Sequence, residues 1–510
     1  MTNISRREFL RLSALKIGAI AGVIMGGSIL QACDQELSKE GAPPPSSTDL
    51  IQTNIPSPTD TLPSALPTKT NLPPTLQSLL DRPKQLRSSL VSLVQSDIAD
   101  AKDLQLVDIQ TMVQQAISLA GGFASLVQDG HTVVIKPNLY GRVYTINGQP
   151  IDTEVSGLVV DWRVTRAVVE LVRQLNPTGK VYVMEGSCLA PTKEIMRYLK
   201  YSPEFIPGVD EFLAIEEDSG AWQDFNSPGL LKMDLSDGLY QTSYYLNRKY
   251  KEADVVISLA TLKNHSYAAI TGAVKNVAIG ATPANIYGKS STDDNRYDKI
   301  PHDKINFHKW VHDYYRCRPA DFAIIDGLQG IQNGPMCYSD KCDLPENQMN
   351  MRLLLAGRDA VAVDTIQTLL MGWDPESIQY LNLLNASLAG NLDTAYITVS
   401  GKPVDLAQKD FAGAQPVCGG KKVVDKQAPG LLIEESSVSE GELRLTLAND
   451  EKTNKIEVYI DDHLFNIAIT PDINDVVVNV NSLSSGTHAI KVWSYDRYLN
   501  RSEQTREIII

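Results

Sequence analysis

Two lysines, a histidine and an amide gather in the stretch from Ala253 to Pro283. Lys263 and His265 come first, and ten residues after His265 stand Lys275 and Asn276. An ammonium is a compact charge suited to phosphate or carboxylate, an imidazole titrates near neutrality or ligates metal, and an amide fixes orientation by donating and accepting at once. Together they suit an anionic small molecule, with Lys263 and His265 as the reacting groups. The bland alternative pairs the lysines with acids such as Asp326 or Asp364 and hydrogen-bonds His265 beneath them. Each residue alone fits that alternative; the group favours a ligand, because burying uncompensated lysines is costly unless a counter-charge arrives.

Other residues extend the set. His308 and His312 are four apart, so one helix face would present both. Lys309 stands where a zinc protease needs glutamate, which excludes that enzyme class. Asp326, before a glycine-rich loop, is expected to hold a divalent metal with His308 or to position His265, the alternative being a turn cap. Asp359 reads as a helix N-cap and Asp364 as inward-facing. Cys188 follows Gly186-Ser187 without a nucleophile elbow, and ordinary packing suits it better than catalysis.

These side chains need a scaffold that brings them together. Continuous apolar runs predict strands at Thr132–Ile135, Lys180–Met184, Val255–Leu259, Phe322–Ile325 and Met351–Ala356, the third ending in a polar turn that carries Lys263, Asn264 and His265. Helical periodicity marks Leu106 to Ile117, Val164 to Leu175 and Val361 to Leu370. The alternation predicts an α/β fold: a mostly parallel sheet with helices on both faces, and ligands outside the carboxyl ends of the strands. Lys136, Asn138, Glu185, Lys263, His265 and Asp326 all follow a predicted strand. From about Asp425 short alternating segments predict a small all-β sandwich over 425–510.

Several of these segments resemble one family. Val134-Ile135-Lys136-Pro137-Asn138, Leu262-Lys263-Asn264-His265, Thr271-Gly272-Ala273-Val274-Lys275-Asn276, Asp326-Gly327 and Asp359-Ala360-Val361-Ala362-Val363-Asp364 resemble the domain of unknown function family 362, from about Lys136 to Gly401. The resemblance implies an α/β domain over 81–424, adds Thr271 to Lys136, Asn138, Lys275 and Asn276 as binding positions, and matches His308 better than His312, which implies His308 facing the site and His312 at the surface. Some members resemble iron-sulfur proteins through appended ferredoxin-type cysteines. This chain lacks those cysteines and any Cys-x-x-Cys pair, so no cluster is carried over. The C-terminal hairpin, Gly486 to Asn500, resembles immunoglobulin-like or fibronectin-type-III-like modules, which space domains or dock a cell-surface or wall partner.

The remainder concerns address and partners. Ser5-Arg6-Arg7-Glu8-Phe9-Leu10 resembles a twin-arginine export signal, and Leu30-Gln31-Ala32-Cys33 a lipobox whose cysteine is acylated. Residues 1–33 are therefore expected to be a signal peptide ending at a membrane-anchoring Cys33, and the Pro/Ser/Thr-rich 34–80 a disordered tether. Lys and Arg total 47 against 61 Asp and Glu, a net charge of −14, which argues against nucleic-acid binding. Cys337 and Cys342 could close a small disulfide outside the cytoplasm. The resulting expectation is an exported lipoprotein that binds an anionic molecule or metal-linked cofactor, as an enzyme or as a non-catalytic solute-binding protein. Cys33→Ser is expected to abolish acyl labelling and move the exported chain from membrane to soluble fractions; unchanged fractionation would count against the anchor.

Overall fold

The computed structural model describes residues 88–510, except 140–144, 147–148, 151–153, 187–190, 294–295, 297–298, 335–343, 414–419 and 472. The signal, Cys33, the tether, Cys188 and the Cys337–Cys342 pair lie outside the described residues. The main sheet contains β1 (Ser89–Gln95), β2 (Thr132–Pro137), β3 (Lys180–Glu185), β4 (Glu211–Ala214), β5 (Val255–His265), β6 (Ala269–Thr271), β7 (Phe322–Ile331), β8 (Gln348–Gly357) and β9 (Ile397–Gly401). In space they run β9-β1-β8-β7-β5-β2-β3-β4, with β6 added beside the end of β5. Neighbours from β7 through β4 pair in parallel, whereas β8 runs antiparallel between β1 and β7. The fold is thus α/β with a mostly parallel sheet and helices on both faces.

Alternation along each strand creates two cores. Val133, Ile135, Ile257 and Ile324 pack on one face beneath α1 (Leu106–Leu119) and α2 (Trp162–Leu175). Val134, Val256, Ala260 and Ile325 pack on the other beneath α3 (Ala273–Gly280), α4 (Asn306–Cys317), α5 (Ala360–Leu370) and α6 (Gln379–Ala386). Burial on both faces is why these strands read as unbroken apolar runs. Local signals set the helix ends. Asp161 caps α2 through Arg163 N, Asp359 caps α5 through Val361 N and Ala362 N, and Gly372 follows α5 at φ +74°.

Two strands are longer than expected. β5 continues through Lys263, Asn264 and His265 rather than turning there, because β6 supplies a ladder beyond the end of β2, pairing Thr271 with Lys263 and Ala269 with His265. β7 likewise runs on to Ile331, through a register shift after Asp326.

The C-terminal region packs two antiparallel sheets over their own core. One is β10 (Leu431–Ser439), β11 (Glu442–Asn449) and β14 (Asp475–Asn479); the other is β12 (Lys455–Ile460), β13 (His463–Ile469), β15 (Thr487–Tyr495) and β16 (Arg501–Ile509). This sandwich lies against the α/β domain. Tyr495 and Leu499 join the core under α5, and Lys455 Nζ donates to the Ile397 carbonyl of edge strand β9 at 2.9 Å. Lys455 also meets Glu457 Oε1 at 2.8 Å and lies over the Tyr495 ring; the Lys455 and Glu457 side chains are 2% and 1% exposed. Removing one partner of so buried a pair strands the other charge. Glu457→Leu is expected to cost about 3–5 kcal/mol in urea unfolding of the full chain, and the double variant Lys455→Met/Glu457→Leu to recover most of it. A double variant no more stable than the single would oppose this account.

Candidate functional site

The chain lays down β2, β3 and β4 side by side in one direction, then returns to place β5 and β7 on the other side of β2. Strand order therefore reverses between β2 and β5. The two outgoing connections diverge there, and a reversal of this kind, beyond the carboxyl ends, is where open α/β sheets take ligands. Asn138, one residue past β2, and Lys263, near the end of β5, meet at this reversal.

A hydrogen-bonded relay spans it. Lys136 Nζ donates to Glu185 Oε1 at 2.6 Å, to the Pro137 carbonyl at 2.7 Å and to Asn276 Oδ1 at 3.1 Å. Asn138 Nδ2 donates to the same Asn276 oxygen at 3.4 Å. Asn138 Oδ1 in turn accepts from Lys263 Nζ at 3.1 Å and Thr261 Oγ1 at 3.3 Å. Lys263 Nζ also donates to the Leu158 carbonyl, in the segment 154–161 that precedes α2.

The two lysines differ. Lys136 is wholly buried, with three acceptors for its three protons and Glu185 as counter-charge. Burial pushes Lys136 down and Glu185 up, and their mutual attraction opposes both. Lys136 thus belongs to a closed structural pair and positions Asn138 and Asn276 instead of touching a ligand. Its partner is Glu185. Lys263, 4% exposed, stands at the reversal of strand order itself.

His265 is half-buried at the end of β5, its ring stacked 6.5 Å from Phe307 of α4. Burial holds it neutral, and the charges of Lys275, Lys263 and His302 push the same way. Its Nδ1 accepts from Tyr267 N at 3.0 Å and Ala268 N at 3.2 Å. The proton of the neutral ring therefore sits on Nε2, which makes His265 able to donate a hydrogen bond to an anion. Lys275 is half-buried on α3 within reach of this field.

The proposed metal pair does not form. Asp326 lies on the face beneath α2, where its Oδ2 accepts from Asp161 N at 2.8 Å and its Oδ1 from Leu328 N at 3.1 Å. His308 lies on the opposite face, stacked on Tyr380 at 5.8 Å. The sheet separates them. Among the described residues no group of three or more His, Cys, Asp or Glu could hold a metal ion. Burial brings His308 down to about 4, opposed by Asp303. His312, expected at the surface, is 3% exposed, bonding Asp313 at 2.7 Å and Ser387 at 3.2 Å. Asp364 caps α3 through Ala273 N and Val274 N. Sequence reasoning missed Gln329, in the Gly327–Gly330 stretch, and Glu185 as the partner of Lys136; an unpaired buried lysine was the only signal for the latter.

With this geometry in hand, likeness to known proteins can be placed on it. The model of the family described as Domain of unknown function (DUF362) matches residues 133–368. Those residues form a DUF362 domain. The DUF362 match runs from β2 into α5 and contains the whole relay. The thylakoid-associated protein sll1697 of Synechocystis sp. (strain ATCC 27184 / PCC 6803 / Kazusa) is 25% identical over 293 residues, 56% of this chain and 76% of that relative. Among solved structures, the lactate racemase apoprotein from Thermoanaerobacterium thermosaccharolyticum aligns at 12% identity and a TM-score of 0.30, over 55% of this chain and 56% of that one. A central fibronectin-III array of RIM-binding protein aligns at 19% identity and a TM-score of 0.14, over 16% of this chain and 31% of that one. The chain thus spans little more than half of the first structure and about a third of the second.

Asp326 gives this part of the DUF362 domain a pH signature. Burial, then the nearby Asp161, pushes its carboxyl up to about 7 against the two amide hydrogen bonds and Arg163. A raised carboxyl pKa means that the folded state holds the proton longer than the unfolded chain. Its contribution is complete below the unfolded value near 4 and is lost as pH rises through about 7. Asp326→Asn keeps the neutral form at every pH. Its melting temperature relative to the unsubstituted chain is expected to climb by several degrees between pH 4 and pH 8; a constant difference would oppose a protonated Asp326.

Proposed function

We propose that the DUF362 domain binds an anionic small molecule in the crevice between the ends of β2 and β5. The observation that carries this reading is the meeting of Lys263 with Asn138 at the reversal of strand order, with His265 and Lys275 in the same electrostatic field. Electrostatics and topology point to one place. Lys275, Lys263 and His302 all act on His265 there in the sense that attracts negative charge. In this reading Lys263 supplies the charge, neutral His265 donates from Nε2, Lys275 guards the mouth, and the Lys136–Glu185 pair with Asn276 fixes Asn138. The anchor belongs to the proposal as well: Arg6-Arg7 and Leu30-Gln31-Ala32-Cys33 support a protein held at a membrane through an acyl group on Cys33. Among the described residues no helix is long and apolar enough to cross a membrane.

The test is calorimetric titration of the full chain with phosphate, sulfate and acetate at low ionic strength. At least one should bind at millimolar or lower concentration, and Lys263→Met should weaken it by ~10-fold, the effect of losing a charge-assisted hydrogen bond. Absence of binding, or equal binding to the variant, would refute the reading.

A further inference from the structure

Two buried polar atoms beside Lys263 have no hydrogen-bond partner among the described residues. One is Thr271 Oγ1, in a residue 1% exposed; the other is Gln329 Oε1, in a residue 3% exposed. Buried hydroxyls and amides are normally satisfied, because leaving one unpaired costs about 1–3 kcal/mol. Two such atoms flanking one lysine call for a common explanation.

Their placement supplies it. Thr271 stands directly across the β5–β6 ladder from Lys263, and cross-strand partners in an antiparallel pair project from the same face. On the other side of β5, Ile331 of β7 is in register with Lys263, and Gln329 precedes it by two residues. A Cβ placed on Gly157 would lie 3.1 Å from the Gln329 Cβ and 3.0 Å from Ile331, so this part of β7 packs against the segment whose next residue, Leu158, accepts from Lys263. Thr271, Lys263 and Gln329 thus come from three neighbouring strands and face one segment. The hydroxyl can donate or accept, and the amide terminus presents an acceptor oxygen beside a donor nitrogen.

We infer that Thr271 and Gln329 form the uncharged half of the anion site, and that its ligand carries a hydroxyl beside its charged group. The inference rests on the anion reading above and refines it. The charged group meets Lys263, while the hydroxyl donates to Gln329 Oε1 and accepts from Thr271 Oγ1. A site built this way discriminates strongly, since a ligand without the hydroxyl leaves both protein atoms unpaired.

Matched pairs test it: glycerol phosphate against inorganic phosphate, and glycolate against acetate, titrated into the full chain by calorimetry. The hydroxylated member of at least one pair should bind ~5-fold or more tightly, in line with the net worth of a hydrogen bond or two. Thr271→Val and Gln329→Met should each cut that margin below ~2-fold. Thr271→Ser, which keeps the hydroxyl, should retain the margin, separating lost hydrogen bonding from disturbed packing. Equal binding within both pairs, or variants that weaken both members alike, would overturn the inference while leaving the anion site standing. If no member binds, or if Lys263→Met binds all of them unchanged, the anion reading itself fails and takes this inference with it.

Discussion

An ammonium group removed from water must find acceptors for all its protons and a charge to balance it, or it destabilises the fold by several kcal/mol. Lys136 imposes that requirement on the end of β2. Glu185 answers from β3, the Pro137 carbonyl from β2 itself and Asn276 from α3, so three elements are held at fixed positions by one side chain. The requirement extends to residues without side chains. A Cβ on Gly280 would lie 2.6 Å from Lys136 Nζ, and one on Gly186 would lie 2.7 Å from both the Gly280 carbonyl and an Arg296 nitrogen. Asn276 is then locked through its own donor, which reaches the Lys136 carbonyl at 2.9 Å and Ser258 Oγ at 3.1 Å. With Asn276 immobile, Asn138 has one favourable orientation: amide nitrogen toward Asn276, oxygen toward Lys263.

This order of dependence separates two lysines that look alike in the chain. Lys136 meets a carboxylate at 2.6 Å, and the contact closes on itself. Lys263 Nζ donates to Asn138 Oδ1 and to the Leu158 carbonyl, contacts that orient the ammonium toward the segment 154–161. Burial first, then the charges of Lys275 and Lys263, lower the neighbouring His265. Asp326 adds a constraint from beneath, tying Asp161 and the start of α2 to β7, so the segment over Lys263 is fixed at its far end.

Much of the scaffold was legible because strands buried on both faces leave unbroken apolar runs, as at Val133–Ile135 and Phe322–Ile325. Their extents were not, since Lys263, Asn264 and His265 have the composition of a turn and only the ladder with Ala269–Thr271 makes them strand. Pairings across the sheet were hidden as well. Lys136 and Glu185 are 49 residues apart, and nothing local to either shows that β2 and β3 are neighbours in register. The expected pairing of His308 with Asp326 failed for a related reason: Ile325 points to the α4 side, so the pleat sends Asp326 to the α2 side, a parity that needs the register to be known. His312 was misplaced because Asp313, its buried partner, looks from the sequence like an ordinary exposed acid on a helix.

The docking of the sandwich on β9 has a consequence for the life of the chain outside its native state. A sheet edge offers unpaired carbonyls and amides to any passing strand, and self-association by edge pairing is the usual outcome when nothing blunts it. Here a lysine from a later domain occupies the Ile397 carbonyl, with Tyr495 and Leu499 packed alongside. The α/β domain emerges first in synthesis, with β9 bare until residues 425–510 have folded. Covering of this edge therefore depends on a segment of the chain that lies after the whole sheet in sequence.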